Sequence, residues 1–408
     1  TYIGKRGTTE KRGLGIPTMR DRAMQKLLVL ALEPEWEAKF EPNSYGFRPG
    51  RSTHDAIQAI FNYIRLKPKS ILDADIEKCF DNIAREPLLD RLNAIRPIAR
   101  LVRGWLEAGI LDGDRILFPE AGVPQGGVLS PLLCNVALHG FETALTSVST
   151  RFRIAVIRYA DDLVVMCEDL ETLRTVKQQA EVWLAEMGLR LKASKTRMTH
   201  TLNEHEGNTG FDFLGFNVRQ YRVGRYHTST YRGRPGFKTL IKPSKQACQR
   251  HLQDMREVIR QYKGAPQVAL VKVLNPKIRG WAQYYRTCVA KGTFSRMDQQ
   301  LFHKLYRWAC FRHPHKASGW NYKRYWKRKG KRLNFGDGTA WLVKYADTPI
   351  KRHVKVRGEK SPYDGDWLYW VQRLGRDPTK PTQVVNLLRR QKSRCGPVSY
   401  THLRAHET

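Results

Sequence analysis

The stretch IAVIRYADDLVVMC (residues 154–167) places an acidic pair, Asp161 and Asp162, between two short apolar runs. Runs this short and this rich in Ile and Val are typical of buried strands, and a polar pair between them predicts a hairpin turn. A second apolar run, SILDADI (70–76), carries Asp75 near its end. Because neighbouring strands lie about 4.8 Å apart, pairing of these strands would bring the three carboxylates to one point.

Three carboxylates held so close repel one another unless cations lie between them. Mg²⁺ is a hard ion that binds carboxylate oxygens and keeps positions open for water and phosphate. Two such ions, ~3.5–4 Å apart, can activate a primer 3′-hydroxyl and stabilise departing pyrophosphate, so the acids predict nucleotidyl transfer with two Mg²⁺ ions. The alternative is a solvated turn, the ordinary role of an acidic pair at a hairpin. The apolar flanks argue against it, because they place the acids at a buried edge.

Helical stretches separate the strands. Ser130, followed by Pro131, predicts the start of a helix that runs through Glu142. Asp169 predicts a second helix start, and Gly188 predicts the end of that helix. The order strand, helix, hairpin, helix, strand predicts an α+β domain built on a ferredoxin-like antiparallel sheet.

Seven segments resemble, in order, the successive blocks of reverse transcriptases encoded by group II introns, also called intron maturases. They are LGIPTMRDR (14–22), SYGFRPGRS (44–52), DADIEKCFDNI (73–83), GVPQGGVLSP (122–131), RYADDLVV (158–165), GLRLKASKT (188–196) and FLGF (213–216). The resemblance implies a right-hand polymerase whose fingers and palm occupy residues 1–218. It also implies that Asp75 and Asp161 are the metal ligands, with Asp162 as their catalytic companion.

The same resemblance implies a set of residues that contact nucleotide, template or primer. They are Arg48, Arg51, Phe80, Gln125, Gly126 and Lys195. The arginines would pair with triphosphate oxygens, and the Phe80 ring would exclude the 2′-hydroxyl of a ribonucleotide. Glycine beside Gln125 would let the backbone approach a template base closely. Simpler roles stay open: solvated cations for the arginines and Lys195, a core aromatic for Phe80, and a tight loop without a ligand for Gln125.

Charge divides the chain into two regions. The 408 residues carry 72 Lys and Arg against 38 Asp and Glu, a net charge of +34. Residues 1–218 hold 29 basic and 28 acidic side chains, whereas residues 219–396 hold 42 and 9. Such a surplus would repel itself unless a polyanion neutralised it, which predicts a nucleic-acid partner. No run of about 18 apolar residues suggests a membrane partner, and seven cysteines without a CxxC pair argue against a zinc site.

The beginning of the basic region predicts helices. A basic connector (219–243) leads to a helical region (244–320), whose first helix is predicted to begin at Ser244 and whose second is predicted to break at Pro276. Two segments resemble the thumb, or X domain, of the same maturases: LNPKIRGWAQYYR (274–286) and WACFRHPHKASGW (308–320). The fold expected after residue 218 is therefore an α-helical thumb followed by a basic DNA-binding region.

Residues 321–386 form that predicted DNA-binding region, because RHVKVRGEKSPYDGDWLYW (352–370) resembles its counterpart in the maturases. Residues 387–396 resemble the start of a truncated HNH endonuclease. Residues 397–408 are expected to be a non-native tail, and the chain is expected to be truncated at both ends. The candidate nucleic-acid-binding residues are Arg279, Trp281, Tyr284, Tyr285, Arg286, Lys327, Arg328, Lys329, Lys331 and Arg332. Their aromatic rings could stack on bases, although helical spacing makes Trp281 a core candidate as well.

Together these features predict an RNA-directed DNA polymerase of a group II intron that also binds intron RNA to promote splicing and retromobility. The expected partners are group II intron RNA, a DNA target, an RNA template with a DNA primer, and dNTPs. The expected location is the bacterial cytoplasm near the nucleoid, or an organelle. One alternative is a catalytically silent maturase, which would lack the acidic set that is intact here. Another is a palm-type RNA polymerase or nucleotidyl cyclase, which would not need the thumb segments.

Overall fold

The computed structural model describes residues 2–4, 11–112, 114–118, 120–224 and 236–377, with the backbone at 383, 386, 387 and 390. The contacts divide these residues into two compact units. The first unit holds the described residues up to Thr209 together with Lys355–Trp370, and the second holds most of the remainder. The predicted nuclease start and tail (387–408) lie outside the described residues, apart from the backbone at 387 and 390.

The first unit mixes helices with short strands. Its elements are β1 (Tyr2–Gly4), β2 (Lys11–Gly13), α1 (Met19–Lys39), α2 (Thr53–Ile64), β3 (Ser70–Asp75), α3 (Cys79–Asn82), α4 (Arg85–Leu92), α5 (Arg96–Glu107), β4 (Ile110–Asp112), β5 (Arg115–Leu117), α6 (Ser130–Ala137), α7 (Phe141–Thr146), β6 (Ala155–Tyr159), β7 (Asp162–Cys167), α8 (Leu170–Glu186) and β8 (Arg197–His200).

Four of these strands form the palm sheet, in the order β6-β7-β3-β8 with every neighbouring pair antiparallel. Numbered along the chain, the order is 2-3-1-4, which is the ferredoxin-like arrangement that the sequence predicts. The register sets Asp75 opposite Asp162 and Asp73 opposite Arg197. Asp73 and Asp75 lie on one face of β3, while the buried Leu72 and Ala74 lie on the other. Ile71 shares the face of the carboxylates and is fully buried as well.

Local signals predict the helix ends with mixed success. The Asp169 carboxylate accepts from the Thr172 amide at 2.7 Å and caps α8, as predicted. Ser130 does not cap α6, because its hydroxyl donates to the Pro124 carbonyl at 2.6 Å. The prediction of one continuous helix through Glu142 is also wrong, since Gly140 has a φ of +92° and α7 begins after it.

The segment Asn43–Gly46 runs beside edge strand β6 of the palm sheet. The Tyr45 amide donates to the Arg158 carbonyl at 2.9 Å, and the Arg158 amide donates to the Asn43 carbonyl at 3.0 Å. Glycine is required at position 46, because a Cβ there would lie 2.3 Å from the Ala160 nitrogen. This segment therefore covers part of the edge of the sheet and presses on the turn that carries Asp161.

Lys355–Trp370, here called the strap, belongs to the first unit although it lies within the predicted DNA-binding region. The Val356 amide donates to Oδ1 of Asp55 at 2.8 Å. The Trp370 side chain is 2% exposed and lies over Gly50, where a Cβ would come within 2.7 Å of its ring. The strap therefore contributes buried side chains to the first unit.

The second unit begins with a three-stranded sheet and continues with helices. Its elements are β9 (Phe211–Phe213), β10 (Phe216–Arg222), β11 (Phe237–Pro243), α9 (Lys245–Gln261), α10 (Gln267–Tyr285), α11 (Lys291–Arg312), α12 (Ser318–Tyr325), β12 (Trp326–Lys329), β13 (Arg332–Phe335) and a 3-10 helix (Tyr345–Asp347), while α13 (Trp367–Arg376) begins inside the strap. The predicted connector 219–243 therefore contains strand residues, and β10 pairs with β11 there.

The predicted helical region 244–320 contains α9, α10 and α11 and the start of α12. Ser244 caps α9, since its side chain accepts from the Ala247 amide at 3.1 Å, as predicted. The predicted break at Pro276 is wrong, because α10 is continuous through this residue. The Asn275 side chain bonds backbone groups of Trp341 and Val343, and buried side chains flank the proline, so tertiary contacts offset the lost helix hydrogen bond. No helix among the described residues is long and apolar enough to cross a membrane.

Candidate active site

The acidic centre lies at the turn between β6 and β7. Ala160 adopts a φ of +57° in this turn, and the Asp161 carbonyl accepts from the Ile76 amide at 3.0 Å. This bond fixes the turn to the end of β3, where Asp75 lies opposite Asp162. Sheet pairing thus brings together the two sequence segments that carry the predicted acids.

The electrostatics of Asp162 report how crowded these acids are. The pKa of its carboxyl is raised to about 7, mainly by burial and also by the nearby carboxylates of Asp161 and Asp75. Burial and like charges both disfavour the ionised form. A nearby cation would stabilise the ionised carboxylates, so the acidic centre favours the binding of positive charge.

Two side chains of the neighbouring segment supply part of that charge. The Lys195 ammonium donates to Oδ2 of Asp75, and this bond raises the pKa of Lys195. Arg197 forms an ion pair with Asp73 at 2.7 Å. The predicted substrate residue Lys195 is therefore placed at the acidic centre, directly on a predicted metal ligand.

The donor set at this centre consists of carboxylate oxygens, which suits a hard divalent cation such as Mg²⁺. Among the described residues, no three or more His, Cys, Asp or Glu side chains lie in positions that would together hold a metal ion. The fit of the site to a cation therefore rests on the chemistry of the crowded acids and on the raised pKa of Asp162.

Phe80 lies close to the acidic centre in sequence, one residue into α3 and five after Asp75. Its ring is half-buried and meets the exposed ring of Phe47 edge to face at 5.9 Å. Its carbonyl accepts from the Val123 amide at 2.6 Å. The ring packs against the core and keeps part of its surface accessible.

The glycine-rich loop 122–130 contacts the same part of the palm. Gln125 donates from Nε2 to Oδ1 of Asp81 at 2.6 Å, and Gly126 has a φ of +110°. Sequence reasoning misses Gln25, whose buried Oε1 accepts from the Val128 amide at 2.8 Å. Its signal is an amide on the apolar face of α1, three residues before the buried Leu28.

Arg48 does not have the environment of the predicted nucleotide contact. Its guanidinium forms a bidentate ion pair with Glu37, with both N–O distances 2.9 Å and both side chains almost completely buried. A third guanidinium nitrogen donates to the carbonyls of Glu41 and Ser44. All three of its nitrogens already have partners inside the first unit, so its role is structural.

The predicted contact of Arg51 with the triphosphate is corrected as well. Its side chain is buried, and burial lowers its pKa to about 10. It donates to the Pro42 carbonyl at 2.6 Å and to the Gly358 carbonyl of the strap at 3.0 Å. The guanidinium therefore joins the strap to the segment before α2 rather than facing a triphosphate.

Four of the predicted nucleic-acid contacts, near the end of α10, have packing or hydrogen-bond partners within the second unit. The Tyr285 side chain is buried and its hydroxyl donates to the Gly215 carbonyl, while buried Arg286 donates to the Pro349 carbonyl. Tyr284 donates to the Leu214 carbonyl, and Trp281 stacks on His251 at 5.0 Å. The predictions for Tyr285 and Arg286 are corrected, because both side chains are buried within the second unit. Trp281 and Tyr284 are half-buried, and their contact with nucleic acid stays a prediction.

The remaining predicted cations are displayed on the surface. Arg279 is exposed on α10, and so are the cations of the hairpin formed by β12 and β13. The exposed hairpin cations are Lys327, Arg328, Lys329, Lys331 and Arg332. Lys327 donates to the Asp337 carbonyl, and Arg332 lies 3.4 Å from Asp347, so some of this charge also has local partners.

Comparison with protein families finds two matches along the chain. The family described as reverse transcriptase (RNA-dependent DNA polymerase) matches residues 3–218. The group II intron maturase-specific domain matches residues 248–326.

Single proteins also match parts of this chain. The protein YkfC of Escherichia coli is 30% identical over 54% of this chain and 66% of its own length. The group II intron-encoded protein LtrA of Lactococcus lactis is 24% identical over 76% of this chain and 63% of its own length. The chain thus spans less than two thirds of the length of either relative. A solved telomerase from Candida tropicalis aligns with 73% of this chain and 50% of its own, with 12% identity and a TM-score of 0.39.

Proposed function

The chain belongs to the reverse transcriptase (RNA-dependent DNA polymerase) family, and from that premise we propose that it copies RNA into DNA at the acidic centre of the palm. The observation that carries the proposal is the pairing of Asp75 with Asp162 beside a turn that is bonded to the end of β3. This arrangement brings acids from two distant segments together at one end of the two central strands of the palm sheet.

Asp75 and Asp161 would hold the divalent ions, for which we propose two Mg²⁺. When bound there, Mg²⁺ supplies activation of a primer 3′-hydroxyl and neutralisation of charge on the departing pyrophosphate. Asp162 adds negative charge to the centre, which strengthens the demand for a cation. Lys195 partly neutralises Asp75, and its contact with nucleotide phosphates remains part of the proposal. Phe80, Gln125 and Gly126 remain proposed contacts for the incoming nucleotide or the template.

We further propose that the second unit binds group II intron RNA and thereby promotes splicing and retromobility. The maturase-specific match over residues 248–326 and the basic surplus of residues 219–396 support this proposal. The exposed hairpin cations and Arg279 are the proposed contacts with RNA or target DNA. Such partners occur in the bacterial cytoplasm at the nucleoid or in an organelle, where we expect the protein to act.

Primer extension tests the polymerase proposal. The assay uses an RNA template, a DNA primer, dNTPs and Mg²⁺, and compares the wild type with Asp161→Ala and with Asp90→Ala, a change of an exposed aspartate on α4. Loss of a metal ligand costs several kcal/mol of transition-state stabilisation, so Asp161→Ala is expected to reduce extension about 10³-fold or more. Asp90→Ala is expected to extend like the wild type, and both variants should bind RNA normally.

Equal extension by wild type and Asp161→Ala would overturn the catalytic assignment. A wild type that promotes splicing of intron RNA but shows no extension would instead establish the silent-maturase alternative. The sequence keeps Asp75, Asp161 and Asp162, and the palm sheet pairs Asp75 with Asp162. These acids favour the polymerase over that alternative.

A further inference from the structure

The glycine-rich loop 122–130 has a backbone that few residues could adopt. Gly122 and Gly126 have φ values of +90° and +110°, in the region that favours glycine. A Cβ on Gly126 would lie 2.5 Å from the Gly15 carbonyl oxygen, and a Cβ on Gly127 would lie 2.5 Å from the hydroxyl of Ser130. The loop therefore packs closely and depends on its neighbours for its shape.

The first half of the loop is bonded to the segment that follows Asp75. The Val123 amide donates to the Phe80 carbonyl at 2.6 Å, and the Gly122 amide donates to the Ile83 carbonyl at 2.9 Å. Gln125 adds a bond from its side chain to Asp81 at 2.6 Å. A shift of the loop would therefore be transmitted to the backbone of Phe80.

The second half of the loop has a different anchor, which comes from α1. Oε1 of Gln25 accepts from the Val128 amide at 2.8 Å and from the Leu129 amide at 3.4 Å. Leu129 is the N-cap residue of α6 and supplies no side-chain cap. Gln25, which is 6% exposed, thus provides, across about 100 residues of chain, the acceptor for the last two loop amides before α6 begins at Ser130.

We propose that Gln25 is a positioning residue that holds loop 122–130 in the shape needed to seat the incoming nucleotide beside Phe80. The inference rests on the proposed polymerase function, and it adds a residue that touches neither the acidic centre nor a predicted substrate contact. Gln25 acts through two backbone amides at the exit of the loop. Leu129 and Gln25 also line one small cavity together with Trp105.

Amide hydrogen exchange tests the anchor without any activity measurement. Gln25→Met keeps the size of the side chain but removes the acceptor, and Gln25→Glu keeps an acceptor in the same place. We expect exchange of the Val128 and Leu129 amides to become about 10-fold faster in Gln25→Met and to stay within about 3-fold of wild type in Gln25→Glu. Gln179→Met, on the exposed face of α8, is the matched control and should change neither amide.

Primer-extension kinetics test the consequence for the nucleotide. We expect Gln25→Met to raise the KM for dNTP about 10-fold with kcat changed less than about 3-fold, and Gln25→Glu to restore most of the difference. Unchanged exchange and unchanged KM in Gln25→Met would overturn the proposal. Faster exchange throughout the first unit in both variants would also overturn it, because that result means a general structural role. A wild type without extension would defeat the polymerase proposal alone, and the local exchange pattern would still report whether Gln25 anchors the loop.

Discussion

The basic hairpin of β12 and β13 and the strap Lys355–Trp370 resemble each other in sequence but differ in structure. Both are rich in Lys, Arg and aromatic residues, and both lie in the region predicted to bind DNA. The hairpin presents its cations to solvent. The strap buries Val356 and Trp370 in the first unit and accepts hydrogen bonds from Arg51 through its carbonyls.

The difference shows that net charge does not distinguish cations available to a partner from cations already used by the fold. Lys360 of the strap lies 2.8 Å from Asp366 and 3.3 Å from Asp364, whereas Arg328 and Lys331 are exposed on the hairpin. Of these cations, Arg328 and Lys331 are therefore the ones left available to a polyanion. Removing residues 321–396 in one piece would mix a binding effect with a folding effect, so single substitutions separate the two regions better.

Trp370→Ala is expected to have the largest effect on stability. Removing a buried tryptophan leaves a cavity, and the free energy of unfolding should fall by about 3–5 kcal/mol. Trp320→Ala, at a position that is 39% exposed, is the control and should cost less than about 1 kcal/mol. Urea unfolding followed by circular dichroism measures both. Similar losses for the two variants would mean that the strap does not stabilise the first unit.

Asp55→Ala should come next. The Asp55 carboxylate completes the capping box of α2 with Ser52 and also accepts from the Val356 amide of the strap. Its loss is expected to cost about 2–3 kcal/mol, and Ser52→Ala, which keeps the strap bond, about 1 kcal/mol. The difference between the two losses, measured from the urea midpoints, is an upper bound for the strap bond, because Asp55→Ala also removes the acceptor of the Ser52 amide. Equal midpoints would show that this bond contributes nothing measurable.

Lower pH is expected to weaken the second unit through His251. Burial lowers the pKa of this imidazole to about 4, whereas in the unfolded chain it titrates near 6.5. The unfolded state therefore binds more protons between these values, so the stability present above pH 6.5 is lost as the pH falls. We expect the wild type to lose roughly 1–2 kcal/mol more than His251→Gln between pH 7 and pH 5. Parallel losses in chemical denaturation of the two proteins would contradict this assignment.

Neutralising the hairpin should give the smallest effect, and it concerns binding rather than folding. Replacing Arg328 and Lys331 together by Gln is expected to reduce the slope of log K against log salt by roughly 1.5–2 for duplex DNA. Lys360→Gln in the strap should leave the slope unchanged, because that cation is already paired. Fluorescence anisotropy across salt concentrations measures these slopes. An equal change in both variants would remove the distinction between hairpin and strap.

The palm could be predicted from sequence because its signals are local. The apolar runs around Asp161 and Asp75 predict the strands, and Asp169 and Ser244 predict helix starts that the structure confirms. Sheet pairing then brings the acids together without any further information.

Other features depend on partners that the local pattern does not contain. The sequence around Arg48 predicts a phosphate ligand, but in the structure two of its guanidinium nitrogens donate to the carboxylate of Glu37 on α1. Pro276 looks like a helix break until Asn275 is bonded to residues more than 60 positions away. The strap is the extreme case, since Val356 meets Asp55 across about 300 residues of chain.

The short pairing of Asn43–Gly46 with β6 has a consequence for shortened forms of this chain. A polypeptide that starts after residue 46 would leave the amide of Arg158 without its acceptor and would present an open strand to any neighbour. Open strands of this kind recruit one another from separate molecules. Shortened palms are therefore expected to self-associate in a concentration-dependent way, and an added extended peptide that matches the missing segment should suppress this association.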